Sequence, residues 1–272
     1  MAKFGRVYEL TVGRIKTDAL DIEFNITKSL KRSANAADIS IYNLNPSHRA
    51  ALKETKQDLV TQLIAGYEDE KGVIFLGGTR EVVTVYDAPN YITTVSSAEG
   101  EKSMQTDRIN KSFAAGTNLS TVIKELGGAL QVDQGNLDKI LSQGVLPNGA
   151  TQFVKGFTVS GNTANEFERV LRSAGFEWSV QNGKLQILKI GEPVRETAIL
   201  LNISTGLLGS PTIDKKGNIE FEALLSSKLV PGKQVKIESK LLNTYARIAK
   251  SDFTGGTRTD WKVSCEAKEI RQ

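Results

Sequence analysis

The stretch SAGFEWSVQNGKLQILKI, Ser173 to Ile190, reads as a chain that turns back on itself. Phe176, Trp178 and Val180 alternate with polar neighbours, and Leu185, Ile187 and Ile190 carry the return. Between the two runs, Asn182-Gly183 supplies the pair of positive φ angles that a tight type I′ turn demands. Phe176 and Trp178 then face the same way and bury their rings on a core, while the turn fixes the register.

Just upstream, SGNTANEFERVLRSAGF offers Asn162 or Thr163 as a cap, an apolar stripe of Phe167, Val170 and Leu171, and Gly175 as a stop, which predicts an amphipathic helix. Further back, AGTNLSTVIKELGGAL has Thr117 or Asn118 as cap, Leu119, Val122, Ile123 and Leu126 on one face, and Gly127-Gly128 as an expected end. The Gly- and Pro-punctuated segment between these helices is expected to hold a short helix and a strand. Residues 113–192 therefore read as an α+β unit.

Outward from this middle, both flanks are β in character. Toward the N-terminus, VYELTVG, ALDIEFNITKSL and NAADISIYNL alternate with period two, and three or four further strands follow residue 58. One helix interrupts them, with Asn45 as N-cap, Pro46 at the first helical position, and Ala51 and Leu52 facing inward. Toward the C-terminus come ETAILLNI, a loop STGLLGSP, then TIDKKGNIEFEALL, GKQVKIES, TYARIAKSDF and DWKVSCEAKEI. In the last of these, Trp261, Val263, Cys265 and Ala267 share one face and Lys262, Ser264, Glu266 and Lys268 the other. The fold class is thus mainly β: a small β-barrel over 1–112, an α+β domain over 113–192 and a second small β-barrel over 193–272. Gly-Gly-Thr-Arg occurs at Gly77 to Arg80 and again at Gly255 to Arg258, but its surroundings do not align; the match is read as chance, with duplication of a β-domain left open.

Composition narrows function by exclusion. The 272 residues are 39% hydrophobic and 24% charged, with a net charge of only +4, as expected of a globular protein with a mixed surface. Cys265 is the single cysteine and reads as a core residue, so neither disulfides nor cysteine-based zinc sites are expected. No apolar run approaches the ~20 residues of a membrane span and the N-terminus has no signal-peptide pattern, so no membrane insertion is expected. His48 is the only histidine, which leaves no second one for a His-pair metal site, and no phosphate loop or dinucleotide fingerprint occurs. The expected answer is a protein that is not an enzyme and needs no cofactor. Two rival readings stand beside it: a carbohydrate-binding module stacking sugars on Trp178, Tyr91 or Trp261, and a cell-wall hydrolase using two carboxylates, for instance among Glu166, Glu168 and the EDEK loop.

Two stretches carry a resemblance. STGLLGSPTIDKKGNIEFEALLSSKLVPGKQVKIES and ANEFERVLRSAGFEWSVQNGKLQIL together resemble the tail-hub proteins of contractile bacteriophage baseplates, with weaker echoes in ADISIYNLNPSHRAAL and AGYEDEKGVIFLGGTREV. The resemblance implies a structural virion protein, made in the host cytoplasm, with two tube-like barrels per subunit. It also implies a homotrimer whose six barrels form a ring between the tail tube and the spike, alongside other baseplate proteins of a contractile injection system. The loop Thr205 to Pro211 is the expected interface, through Leu207, Leu208 and Pro211. Arg80, Arg258 and Lys262 are the candidates for lining a lumen that passes DNA or a tape-measure protein, against solvated surface charge as the plainer account.

Overall fold

A computed structural model describes residues 5–31, 33–54, 59–142 and 151–270. Along the chain the first elements are β1 (Arg6–Val12), β2 (Ile15–Thr17), β3 (Ile22–Ser29) and β4 (Ala36–Tyr42), then helix α1 (Pro46–Glu54). Strands β5 (Val60–Tyr67), β6 (Glu70–Asp87) and β7 (Asn90–Ala98) complete the N-terminal flank. The middle holds α2 (Glu101–Thr106), β8 (Arg108–Phe113), α3 (Leu119–Ala129), α4 (Leu137–Leu141), β9 (Phe157–Asn162), α5 (Thr163–Ser173), β10 (Phe176–Gln181) and β11 (Lys184–Lys189). The C-terminal flank is β12 (Ile199–Leu201), β13 (Leu207–Ile213), β14 (Asn218–Leu224), β15 (Gln234–Glu238), β16 (Asn243–Gly256) and β17 (Trp261–Glu269).

The protein is mainly β, and its residues gather into two compact units. One contains 1–29, 35–99 and 193–272; the other contains 30–34 and 100–192. The two flanks expected as separate barrels thus share one 13-stranded sheet, whose main path runs β13-β14-β17-β16-β3-β4-β7-β6-β5-β1-β2 without closing on itself. The physical reason is the antiparallel pairing of β16 with β3, from Lys250 opposite Ser29 to Gly256 opposite Glu23. A single apolar cluster runs under both flanks. Within it Trp261 meets Phe24 edge-on at 5.4 Å and donates its indole N–H to the Gly66 carbonyl at 3.1 Å, which satisfies its one polar atom.

The flanks repeat one another in topology. Hairpin β3-β4 corresponds to β13-β14, β5 to β15, long β6 to long β16, and β7 to β17. Both long strands begin paired to the strand before them in sequence and continue on the strand after. Each then has its bulge soon after the switch, between Thr79 and Glu81 in β6 and between Ile248 and Lys250 in β16. The Gly-Gly-Thr-Arg tetrapeptides fall at unlike places in this repeat: at the switch in β6, but at the far end of β16. They are a chance match laid over a real structural duplication.

Local expectations are mostly met. Asn182 and Gly183 have φ of 52° and 73°, and β10 pairs β11 with Gln181 opposite Lys184. The Asn162 side chain accepts from the Asn165 N–H at 3.0 Å to cap α5. Leu52 of α1 is buried whereas Ala51 is exposed. Two further expectations fail for identifiable reasons. Helix α3 does not stop at Gly127-Gly128 but runs through to Ala129: a Cβ on Gly127 would stand 2.8 Å from Leu137 Cδ2, so this glycine serves close packing. The supposed loop at Leu207 to Pro211 is most of strand β13. Part of the connecting segment, 143–150, lies outside the described residues. In the 100–192 unit, α3, α5 and the β10-β11 hairpin enclose their own core, where Phe167 meets Trp178 edge-on at 5.2 Å.

Cys265 is buried in β17 as its alternation predicts, and burial pushes its thiol up to about 12. A raised folded-state value gives a stabilising contribution that is whole below the unfolded value near 9 and is lost as pH climbs toward 12. Denaturant titrations of the natural chain and of Cys265→Ala should therefore converge with rising pH over that window, by on the order of 1 kcal/mol per pH unit. A gap independent of pH would mean that the thiol titrates normally in the folded protein.

Candidate functional site

Strand register builds one extended surface. Glu81 of β6, Ser96 of β7, Asp38 of β4 and Asn25 of β3 stand in one cross-strand row, which continues to Thr254 of β16 and Lys262 of β17. A parallel row runs from Thr27 through Asp252 and Ser264 to Glu222 of β14. Because side chains alternate, the opposite side of these strands carries Phe24, Ile26, Ile39, Val95, Phe253, Val263 and Phe221, all buried. The sequence folds this way because most of these strands write apolar residues at one parity and polar or charged ones at the other; β6 departs from this, with Val83 and Val85 on the parity of Glu81.

The polar side is hydrogen-bonded across strands. Ser96 donates to Asp38 at 2.5 Å, Thr27 to Asp252 at 2.7 Å, and Ser40 meets Thr94 at 3.1 Å. Glu222 receives Lys262 at 2.9 Å and Ser264 at 3.1 Å. The Lys262 bond holds the Glu222 carboxyl below its usual range, and the same bond raises the Lys262 ammonium. Acidic groups dominate: Glu23, Asp38, Glu81, Asp252, Glu220, Glu222 and Glu266 face this side, against Lys250, Lys262 and Lys268. Small hydroxylated side chains among carboxylates make a smooth, hydrated surface that gives polyanions nothing to grip.

Of the residues picked from sequence for a lumen, the register puts Lys262 on this face, where it pairs with Glu222 and Asp260. Arg258 pairs with Asp21 at 2.8 Å, and Arg80 is exposed at the β6 bulge. Of the interface candidates, Leu207 is 6% exposed and joins the core, Pro211 is buried and Leu208 half-buried. All three lie on β13, which among the described residues pairs only with β14 and ends the main path of the sheet. Sequence reasoning missed the acidic polar face; its signal was the Ser/Thr/Asp/Glu parity of successive strands, visible only once register joins them.

The rivals gain nothing from the geometry. Trp178 and Trp261 are buried, and Tyr91 lies under the Arg49 guanidinium at 4.0 Å. Glu166 and Glu168 are held by Arg169 and Arg172 along α5, and in the EDEK loop Glu70 meets Lys228 at 3.2 Å. His48 is exposed on α1. Among the described residues no three His, Cys, Asp or Glu side chains come together as a metal would need, and no helix is long and apolar enough to cross a membrane.

Comparison with solved structures gives the same fold. A 43 kDa tail protein of prophage MuSo2 from Shewanella oneidensis matches with a TM-score of 0.68 at 12% identity, over 98% of this chain and 97% of that one. A tail protein from Neisseria meningitidis MC58 matches with a TM-score of 0.65 at 8% identity, over 98% and 97%. The E. coli c3393 protein, a type VI secretion component described as structurally similar to T4 tail proteins gp27 and gp5, matches with a TM-score of 0.65 at 10% identity, over 97% of this chain and 77% of that one. Sequence comparison with curated proteins gives no match. The sequence profile of the family described as baseplate hub gp41 matches residues 7–247, nearly the whole length, and the chain belongs to that family.

Proposed function

We propose that the protein is the non-enzymatic hub of a contractile phage tail, a homotrimer whose six β repeats form a ring joining the tail tube to the spike. The observation that carries this reading is the duplication: two β repeats are fused edge to edge through β3 and β16 and present one largely polar face across the eight strands from β13 to β6. Three such chains around an axis place six equivalent repeats in a circle, which suits a six-fold tube on one side and a three-fold spike on the other. The polar face lines the lumen, and its excess of carboxylates repels the phosphate backbone, so DNA or a tape-measure protein slides past without being held. The protein's place is the virion tail, beside tube, spike and other baseplate proteins.

Electron-microscopic imaging of the purified chain, and of tail particles containing it, tests the reading. The expected image is a three-fold ring with a central hole. A solid oligomer, or a chain that stays single both alone and in the particle, overturns it.

A further inference from the structure

The repeat says more than that copies assemble. Within the chain, the far half of β16 pairs with β3. Its counterpart, the far half of β6, pairs with β7 alone, since β5 lies against β6 only as far as Gly78. The counterpart of β3 is β13, whose outer edge carries no strand among the described residues. The two repeats thus leave one donor edge and one acceptor edge open, at opposite ends of the eight-strand strip. Exposed apolar side chains stand on both edges: Val83, Val85 and Tyr86 on β6 are 45%, 56% and 60% exposed, and Ile213 on β13 is 60% exposed. Bare, extended, β-branched edges of this kind invite another strand.

The geometry points to a specific seam, which rests on the ring reading above: the far half of β6 in one copy pairs antiparallel with β13 of the next. The register follows from the intact pairing inside the chain. Glu81 and Lys250 each come first after the corresponding bulge, and they stand opposite Ser96 and Glu266. Those two residues stand in turn opposite Asp38 and Glu220, which pair Asn25 and Thr212. Since Thr254 lies opposite Asn25 and Phe253 opposite Ile26, the seam places Val85 opposite Thr212 and Thr84 opposite Ile213. Parity agrees: Val85 and Thr212 fall on the polar face, Thr84 and Ile213 on the core side, where Ile213 gains the cover it lacks in a single chain. The seam is head-to-tail and heterologous, the class of contact that closes into a ring when its rotation is a whole fraction of a turn, a third of a turn for the trimer proposed above.

Paired cysteines in the full chain test the seam, because the native Cys265 is buried and inert. Val85→Cys with Thr212→Cys is treated with a short bifunctional thiol reagent, both in purified chain and in tail particles built with it. Most of the protein should run as a covalent three-copy species on a denaturing gel, while Val85→Cys alone and Val85→Cys with Ser264→Cys should run as single chains. A three-fold particle by native mass spectrometry that does not cross-link through this pair overturns the seam and leaves the ring standing. Cross-linking of Val85→Cys alone overturns it in favour of a symmetric β6–β6 contact. Absence of any oligomer in both preparations overturns the ring and the seam together.

Discussion

Glu99→Ala should destabilise the sheet unit by ~3–5 kcal/mol, the usual cost of stripping one partner from a buried ion pair. Lys28 and Glu99 are both fully buried and meet at 2.8 Å, the Asn35 side-chain amide donates to the other Glu99 oxygen at 2.8 Å, and its Oδ1 accepts from the Ser29 N–H at 2.8 Å. This polar knot ties the end of β3 and the start of β4 to the residue after β7. Burial pushes the Lys28 ammonium below its ordinary 10.5, and Glu99 works against that shift. Without the carboxylate, burial acts unopposed and pushes the Lys28 ammonium further below its ordinary value in the folded variant. The unfolded chain then binds the extra proton below 10.5, so the deficit grows as pH falls and shrinks as pH rises toward that value. Thermal unfolding at two pH values checks both points, with a fall in Tm of roughly 10 °C near neutrality. The double variant Lys28→Met/Glu99→Gln should recover most of the loss, because the Gln carbonyl still accepts from Asn35 and no lone charge is left inside. Equal stability of Glu99→Ala and the natural chain would mean that the knot contributes nothing.

How far the sequence speaks for itself can be judged at particular residues. Asn182-Gly183, the Asn162 cap and the alternation of Trp261 to Ala267 are local signals, and each produced the element it implied. Strand β13 was hidden because Gly206, Gly209 and Pro211 read as loop punctuation; in the fold, Gly206 (φ 109°) precedes the strand, and Gly209 (φ 63°) and Pro211 sit at its bulge between Leu208 and Thr212. Helix α2 has no apolar stripe to announce it. The largest miss was the joining of the flanks, since β3 and β16 are separated by more than two hundred residues and nothing in either strand names its neighbour. The acidic face was illegible for the same reason: it is spread over seven strands, none of which is notably acidic alone. Tail-hub character is nonetheless legible, because the segment from Ser204 to Ser239 and the α5-hairpin pattern survive as motifs while the register between them does not.

Phe253→Ala is expected to rank with the most damaging apolar truncations in the sheet unit, costing about 3–5 kcal/mol. The ring is fully buried, opposite Ile26 of β3 on one side and Val263 of β17 on the other, at the strand where the two repeats fuse. Large aromatic side chains in close-packed interiors leave a cavity that strands cannot collapse around, because the ladder on both sides fixes their spacing. One apolar cluster underlies both repeats, so the loss should not be confined to the C-terminal one. Hydrogen exchange on Phe253→Ala should show β4, residues 36–42, and β14, residues 218–224, losing protection together, whereas Phe167→Ala, in the separate core of the 100–192 unit, should leave both unchanged. Loss of protection in β14 with β4 intact would mean that the repeats fold as two independent barrels after all. The union of β3 with β16 would then be a contact between finished domains, and the fused eight-strand strip on which the ring depends would lose its physical basis.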